Sequence, residues 1–389
     1  MLALGMIIPV LPELIKQFRG GDVALAAQTV GWFGTSWAAI QFFAAPVLGS
    51  LSDRFGRRRV ILLSNFGLGL DYILMAVAPS LGWLFVGLLI SGVTSASVPT
   101  AFAYIADVTA PEKRAKAYGL MGAAFGGGFI LGPAIGGMLS QFGPRAPFWV
   151  AAGFSLANAL YGLFVLPESL APEHRRAFSW ARANPAGSLA FLRANGQLLG
   201  FASVHMLYNL AHQSLQSVFV LYADYRYGWS TTQVGYALAL VGVCFAVTQS
   251  LLVGRMVKTF GARHSMLAGL GLGAIGFAIY GIAPTGTWFI IGIPIMTLWG
   301  FYGPAAMGLM TERVGRSEQG TLQGALASVA GITGIIGPRI FAETFAMFIG
   351  PRRPWHMPGA PYFLSSMLLL VAFSIAWHVA RPRVIVAAA

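Results

Sequence analysis

The chain has 389 residues, of which 57% are hydrophobic and only 10% charged, and its mean hydropathy is +0.71. Soluble domains carry about 25% charged residues, so a water-soluble fold is excluded; the long unbroken apolar runs also exclude a β-barrel, whose strands alternate polar and apolar residues. A net charge of +13 would suit nucleic acid if it were clustered, but it is spread over short connections, and no nucleic-acid surface is predicted. No Gly-Lys-Ser/Thr phosphate loop and no His-Glu-x-x-His pair occurs, so neither an enzyme, a cofactor nor a metal site is expected. The lone Cys244 can form no internal disulfide.

Apolar segments lie at about 1–12, 28–50, 60–79, 83–105, 117–141, 146–166, 198–223, 231–254, 265–283, 287–310, 321–347 and 360–380. A spanning helix needs about 20 residues, so each reads as one span, twelve in all. The first is the exception: about a dozen apolar residues precede Glu13, which predicts a helix cut short or a start placed too late. No cleavable signal is visible ahead of it. The class is an all-α polytopic membrane protein.

If connections alternate sides, eighteen Lys and Arg fall on one side, among them Arg54, Arg57, Arg58 and Arg59, against six on the other, including Lys16 and Arg19. The positive-inside rule then puts the richer side and the C-terminus in the cytoplasm. Trp32, Trp83, Trp149, Trp229, Trp288 and Trp355 share the opposite depth, as an interfacial aromatic belt would. One sizeable polar stretch, Glu168–Asn195, follows six spans and precedes six more. The predicted organisation is therefore a bundle at 1–167, a cytoplasmic linker at 168–196 and a second bundle at 197–389.

The chain repeats itself at an offset of 205 residues. Gly49, Gly56, Arg58, Pro79, Trp83, Pro99, Gly132 and Pro133 align with Gly254, Gly261, Arg263, Pro284, Trp288, Pro304, Gly337 and Pro338. Between positions 46 and 133 three of five prolines meet prolines, roughly a one-in-a-thousand coincidence at about 5% abundance. Two six-helix halves repeated in parallel resemble the major facilitator architecture, whose substrate site lies near the membrane midplane.

Two motifs sharpen that resemblance. GSLSDRFGRRR, at Gly49–Arg59, is similar to the major facilitator signature between helices 2 and 3. Physically, Gly49 permits close helix approach, Asp53 can face an arginine or a helix N-terminus, and the basic cluster can bind carboxylates or lipid phosphates. The resemblance implies a latch on the cytoplasmic side, with Gly49, Asp53, Arg54, Gly56, Arg57 and Arg58 as gating residues. The second copy, GRMVKTFGAR, lacks the acidic residue. GGGFILGPAIGG, at Gly126–Gly137, resembles the signature of proton-coupled antiporters: Gly128, Gly132 and Gly136 recur every four residues as a bare face, with Gly137 adjacent, and Pro133 bends the helix.

Longer runs, including YIADVTAPEKRAKAYGLMGAAFGGGFILGPAIGGML and QGTLQGALASVAGITGIIGP, look like the tetracycline-efflux branch of the drug:proton antiporters. That resemblance implies an inner-membrane exporter whose partners are protons, the bilayer and a small drug, in tetracycline's case as a divalent-metal chelate; no obligate protein partner is implied. Members carry an Asp in helix 1, which would fall just before Met1, an Arg at the position of Leu88 and an Asp at that of Gly273. These departures would also suit an exporter of another metabolite on the same scaffold.

Asp71 lies about 11 residues past the inner end of its span, and at about 1.5 Å per residue that reaches the midplane of an approximately 30 Å core. A carboxyl there is costly when charged and is a candidate proton carrier. His205, Asn209, His212 and Gln216 fall on one helical face, flanked by Tyr208 and Gln213, and predict a polar wall of the substrate cavity. Gln41 and Asn158 are further cavity donors. Arg339 and Glu343, one turn apart, are expected to pair with each other.

Overall fold

The computed structural model describes residues 1–110, 113–175, 178, 192, 196–315, 318–350 and 356–381. Among these, every regular element is helical. The first half of the sequence forms α1 (Leu2–Ile7), α2 (Leu11–Phe18), α3 (Val23–Phe55), α4 (Arg57–Val77), α5 (Leu81–Ser95), α6 (Val98–Val108), α7 (Arg114–Leu139) and α8 (Ala146–Val165). The second forms α9 (Gly196–Tyr227), α10 (Thr231–Val247), α11 (Val253–Ile282), α12 (Gly286–Thr297), α13 (Tyr302–Thr311), α14 (Gln319–Ile349) and α15 (Ala360–Val379). The twelve apolar segments all fall on helix, and among the described residues eight helical stretches are by themselves long and apolar enough to cross a bilayer. The linker expected at 168–196 lies largely outside the described residues, as do Arg352, Arg353 and Trp355.

Prolines and glycines set the breaks. The first segment is two short helices parted around Pro9, which offers no N–H to a continuing ladder, and Pro12 seats in the first turn of α2. The fourth span parts into α5 and α6 just ahead of Pro99, and the tenth parts into α12 and α13 through a 3-10 turn, Leu298–Phe301, just ahead of Pro304. From Thr231 the helix runs through a π turn at Thr248–Leu252 to Ile282, 52 residues, or roughly 78 Å at about 1.5 Å per residue, far beyond one approximately 30 Å core. Gly261 divides it, with a φ of 78° inside α11. Asp22 caps α3, its Oδ1 accepting from the Leu25 amide at 2.9 Å.

The 205-residue offset recurs in the helix boundaries. Val77 and Ile282 end α4 and α11; Leu81 and Gly286 begin α5 and α12; Arg114 and Gln319 begin α7 and α14. Gly56 and Gly261 share a positive φ, 101° and 78°, and Pro133 and Pro338 lie inside α7 and α14. Arg58 donates to the Leu163 carbonyl on α8, and Arg263 to the Trp377 carbonyl on α15 at 3.3 Å.

Two compact units result: Met1–Pro185 with Ser214–Val243 and Gly334–Pro358, and Ala186–Gln213 with Cys244–Thr333 and Gly359–Ala389. They cut across the sequence halves, because α9, α10 and α14 each give one end to the first unit. In the first unit α4 packs on α8, α1 on α7 and α3 on α5. In the second α11 packs on α15 and α13, around the fully buried Phe277, Tyr280, Phe289 and Tyr362. Tyr280 and Phe289 stack with centroids 3.9 Å apart. Between membrane helices such contacts stabilise by close packing, since lipid is as apolar as the side chains.

Candidate functional site

The connection between α3 and α4 is a single residue. Gly56, with φ 101° and ψ 150°, turns the chain in a region only glycine enters without strain. A Cβ there would also collide with the Glu168 carboxylate. Glu168 Oε1 accepts from the backbone amides of Arg57 at 2.8 Å, Ser169 at 3.1 Å and Leu170 at 3.2 Å, so a carboxylate from the far end of the first half seats at the positive N-terminus of α4. Arg57 pairs with Asp53 one turn back and reaches Asp107 at 3.3 Å, which also accepts from Ser169 at 3.0 Å. Arg54 lies over the Phe55 ring at 5.0 Å. The close helix approach expected at Gly49 is not made among the described residues: a Cβ on it would meet nothing within 4 Å. Glu168 carries no motif of its own, and sequence reading missed it.

The glycines of α7 face two helices. A Cβ on Gly128 would lie 2.7 Å from Met1 Cβ, and one on Gly132 2.6 Å from Gly5 Cα, while one on Gly136 would strike the Met6 carbonyl. So α1 lies on a groove with no side chains in it. On another face, a Cβ on Gly137 would fall 2.8 Å from the Thr231 carbonyl of α10, and Thr232 Oγ1 donates to the Gly137 carbonyl at 2.8 Å. Gly126 and Gly127 border open space.

Asp71 is 1% exposed in the seam between α4 and α5. Among the described residues neither carboxyl oxygen has a hydrogen-bond partner of good geometry; Ser91 of α5 is its polar neighbour. Gly87 makes the room, since a Cβ there would lie 2.8 Å from Asp71 Oδ1. Leu88 is buried beside it in sequence at 8% exposure. Asn158 donates to Asn65 Oδ1 at 3.0 Å across α8 and α4, so its amide is engaged by a neighbouring helix. Gln41 is half-buried on α3.

The α9 stripe divides. His205, Asn209, His212 and Gln213 are half-buried within the second unit, whereas Gln216 is exposed and belongs to the first. Trp299 and Tyr302, which sequence reading did not single out, complete the pattern. Tyr208 stacks on Tyr302 at 4.0 Å and on Trp299 at 5.0 Å, and His212 stacks on Trp299 at 4.6 Å. The Tyr302 hydroxyl and His205 Nδ1 are 3.4 Å apart. Among the described residues His212 Nδ1 has no hydrogen-bond partner, and Asn209 Nδ2 donates back to the His205 carbonyl at 2.7 Å. The spacing of Trp299 and Tyr302 by three residues, next to the break ahead of Pro304, was the available signal.

Within the first unit, residues of the two sequence halves interlock. Lys16 Nζ lies 2.7 Å from Asp224 Oδ2 and 3.0 Å from Glu13 Oε2. Gln28 Nε2 donates to Glu343 Oε2 at 3.1 Å, and Thr35 Oγ1 to the Ile335 carbonyl at 2.7 Å. A Cβ on Gly31 would fall 2.6 Å from Ala342 Cβ, and one on Gly34 2.9 Å from Pro338 Cβ. The pairing expected between Arg339 and Glu343 is not found: Arg339 lies over the Trp32 ring at 4.0 Å, and Glu343 turns to Gln28. Both reach α3, where a ring face and an amide satisfy them better than an exposed one-turn pair worth a few tenths of a kcal/mol. Outside the spans, burial opposes the Lys16 charge, but Asp224 and Glu13 outweigh it and hold the ammonium above its ordinary value of 10.5.

Helical segments of spanning length, breaks repeated at a fixed offset, a one-residue turn walled by a carboxylate and a glycine-lined helix seam together describe a membrane transporter. The family model described as Major Facilitator Superfamily matches residues 1–338 and 201–386. The class C tetracycline resistance protein of Escherichia coli is 36% identical over 344 residues, covering 88% of this chain and 86% of its own length. The class E protein of Escherichia coli is 35% identical over 378 residues, covering 96% and 91%. The crystal structure of the nucleoside transporter NupG superposes with a TM-score of 0.74 at 14% identity, over 98% of this chain and 96% of that one. This chain, a multi-pass membrane transporter and not an enzyme, belongs to the Major Facilitator Superfamily, in its tetracycline-efflux branch.

Proposed function

We propose that this protein exports a tetracycline-like drug across a bacterial inner membrane in exchange for protons, through two six-helix bundles, 1–167 and 197–389, joined by a cytoplasmic linker. The orientation follows the arginine asymmetry, with the Gly56 junction and the C-terminus inside and the Lys16–Asp224 contact outside. The observation that carries the reading is Asp71: a carboxyl at mid-helix depth, 1% exposed and, among the described residues, without a hydrogen-bond partner of good geometry. A carboxyl so placed is held neutral more cheaply than charged, and intramembrane ionisable groups mark proton paths. The relatives named for tetracycline resistance, similar over nearly the whole chain, support the drug class.

In the proposed cycle, protonation of Asp71 from outside favours the inward-facing form, and drug binding with proton release to the cytoplasm favours the outward-facing form. One proton moving inward supplies about 2.3 kcal/mol per 100 mV and about 1.36 kcal/mol per pH unit, enough for a drug gradient of roughly a few hundredfold. The Gly56 junction acts as the inner latch. His205, Asn209, His212, Gln213, Gln216 and Gln41 line the cargo path, and Asn158 supports it from the α4–α8 seam.

A second reading, export of a different small molecule, is favoured by Gly273. A Cβ there would lie 2.9 Å from Leu369 Cδ1 and 3.0 Å from Trp299 Cβ, so the branch's carboxylate has no space at this position. Inverted vesicles carrying the protein test the export reading: tetracycline should accumulate when the interior is acidified, and Asp71→Asn should abolish this dependence. Undiminished proton-driven accumulation by Asp71→Asn would refute the assignment.

A further inference from the structure

The second unit contains a ladder of rings that core packing alone does not explain. His205, Tyr208 and His212 stand at i, i+3 and i+7 on α9; Trp299 and Tyr302 stand behind them. The stacked pairs His205–Tyr302, Tyr208–Tyr302, Tyr208–Trp299 and His212–Trp299 are tilted by 23°, 26°, 29° and 21°. Phe277 closes the far side edge-on to Trp299 at 88°. The backing rings are buried, Trp299 at 6% and Tyr302 at 1% exposure, whereas the three α9 rings and the amides of Asn209 and Gln213 stay half-buried. Of the polar groups on this membrane-embedded face, His205 meets Tyr302 and Asn209 meets the His205 carbonyl, whereas the buried His212 Nδ1 has no partner among the described residues and is costly unless water or a ligand satisfies it.

Charge narrows the ligand. Within the second unit the acidic residues are Glu312 and Glu318 alone, both exposed at the end of α13 and beyond. Of the acidic residues among those described, Asp71 is the one at mid-helix depth, and it is enclosed by Gly87, Met75 and Ser91 of its own seam. Hard divalent cations are held through oxygen ligands, carboxylates above all, and among the described residues no three His, Cys, Asp or Glu side chains gather to hold one. Stacked rings with imidazole and amide donors suit a flat π-system that needs hydrogen bonds, not a counter-charge.

Resting on the export reading above, we infer that the half-buried faces of His205, Tyr208 and His212, backed by Trp299 and Tyr302, form the cargo-recognition wall, and that this wall takes a flat aromatic molecule in neutral or anionic form, free of divalent metal. Stacking fixes the plane of the cargo; His212 and the amides of Asn209 and Gln213 read its polar edge.

Binding to the purified full-length protein in detergent tests this separately from export. Tetracycline with EDTA, fluorescein as a planar anion and ethidium as a planar cation serve as probes, read by equilibrium dialysis. Tetracycline should bind in EDTA and weaken when magnesium is added in excess, and fluorescein should compete while ethidium does not. Trp299→Leu and Tyr208→Leu should each weaken binding about tenfold, with the remote, exposed Trp288→Leu near wild type as the guard against a folding defect. Binding that requires magnesium, preference for ethidium, no binding of either tetracycline or fluorescein, or Trp299→Leu and Tyr208→Leu at wild-type affinity would each overturn the inference. Tight metal-free binding without proton-driven transport would leave the wall standing and refute the export reading instead.

Discussion

Lys16 and Asp224, 208 residues apart in sequence, meet at 2.7 Å, joining α2 to the last turn of α9 within one compact unit. In the cycle proposed above, such a contact between the sequence halves opens at every turnover. The pair is partly exposed, so it is worth roughly 1 kcal/mol, about a fivefold bias on a two-state equilibrium. Lys16→Asp and Asp224→Lys should each lower the yield of a cysteine cross-link between α2 and α9 by about that factor. The double reversal should restore it; failure of the double variant to recover would remove the pair from the gate.

The same contact should be insensitive to physiological pH. The Lys16 ammonium titrates above its ordinary value because Asp224 and Glu13 outweigh the burial that opposes its charge. A raised folded value means the stabilisation is complete below the ordinary value of 10.5 and is lost as pH rises through the folded value. The difference in melting temperature between wild type and Lys16→Met should therefore stay flat from about pH 6 to about pH 9, and narrow only above about pH 10.5. A difference that changes near neutrality would assign the pair another titrating partner.

Gly56→Ala should destabilise by about 1–3 kcal/mol through its backbone conformation, and further because the methyl displaces Glu168 from the start of α4. Gly49→Ala, which meets open space, should be near neutral in the resting protein. Melting curves in detergent compare the two, and equal effects would show that the turn is not what holds Glu168 in place.

On α7 the substitutions should sort by face. Gly132→Ala and Gly136→Ala press a methyl into the backbone of α1 and should cost about 1–3 kcal/mol as overpacking, while Gly126→Ala should cost almost nothing. Thermal stability of the three variants decides it, and a uniform response along α7 would mean the glycines matter for helix flexibility, not for the seam.

Gly87→Ala should impair proton coupling without touching the drug, because its methyl would sit 2.8 Å from both Asp71 Oδ1 and Met75 Cγ. Gly82→Ala, whose nearest neighbour is Ser80 Oγ at 3.8 Å, is the control. Protons moved per drug exported should fall in the first variant alone; an unaltered ratio would place the proton path away from Asp71.

Hydropathy, proline spacing and the 205-residue offset located the helical segments, because lipid forces every backbone amide into a helix and because Pro99, Pro304 and the paired Gly56 and Gly261 act on the chain next to them. Those are local effects, and the residues alone determine them. Which face meets which partner is decided elsewhere. Glu168 caps α4 from 111 residues away, Arg339 and Glu343 leave each other for α3, and Trp299 fills the space beside Gly273. Spacing along one helix says only which side chains share a face; the neighbour that satisfies them is chosen by how the helices pack, and that choice belongs to the tertiary structure.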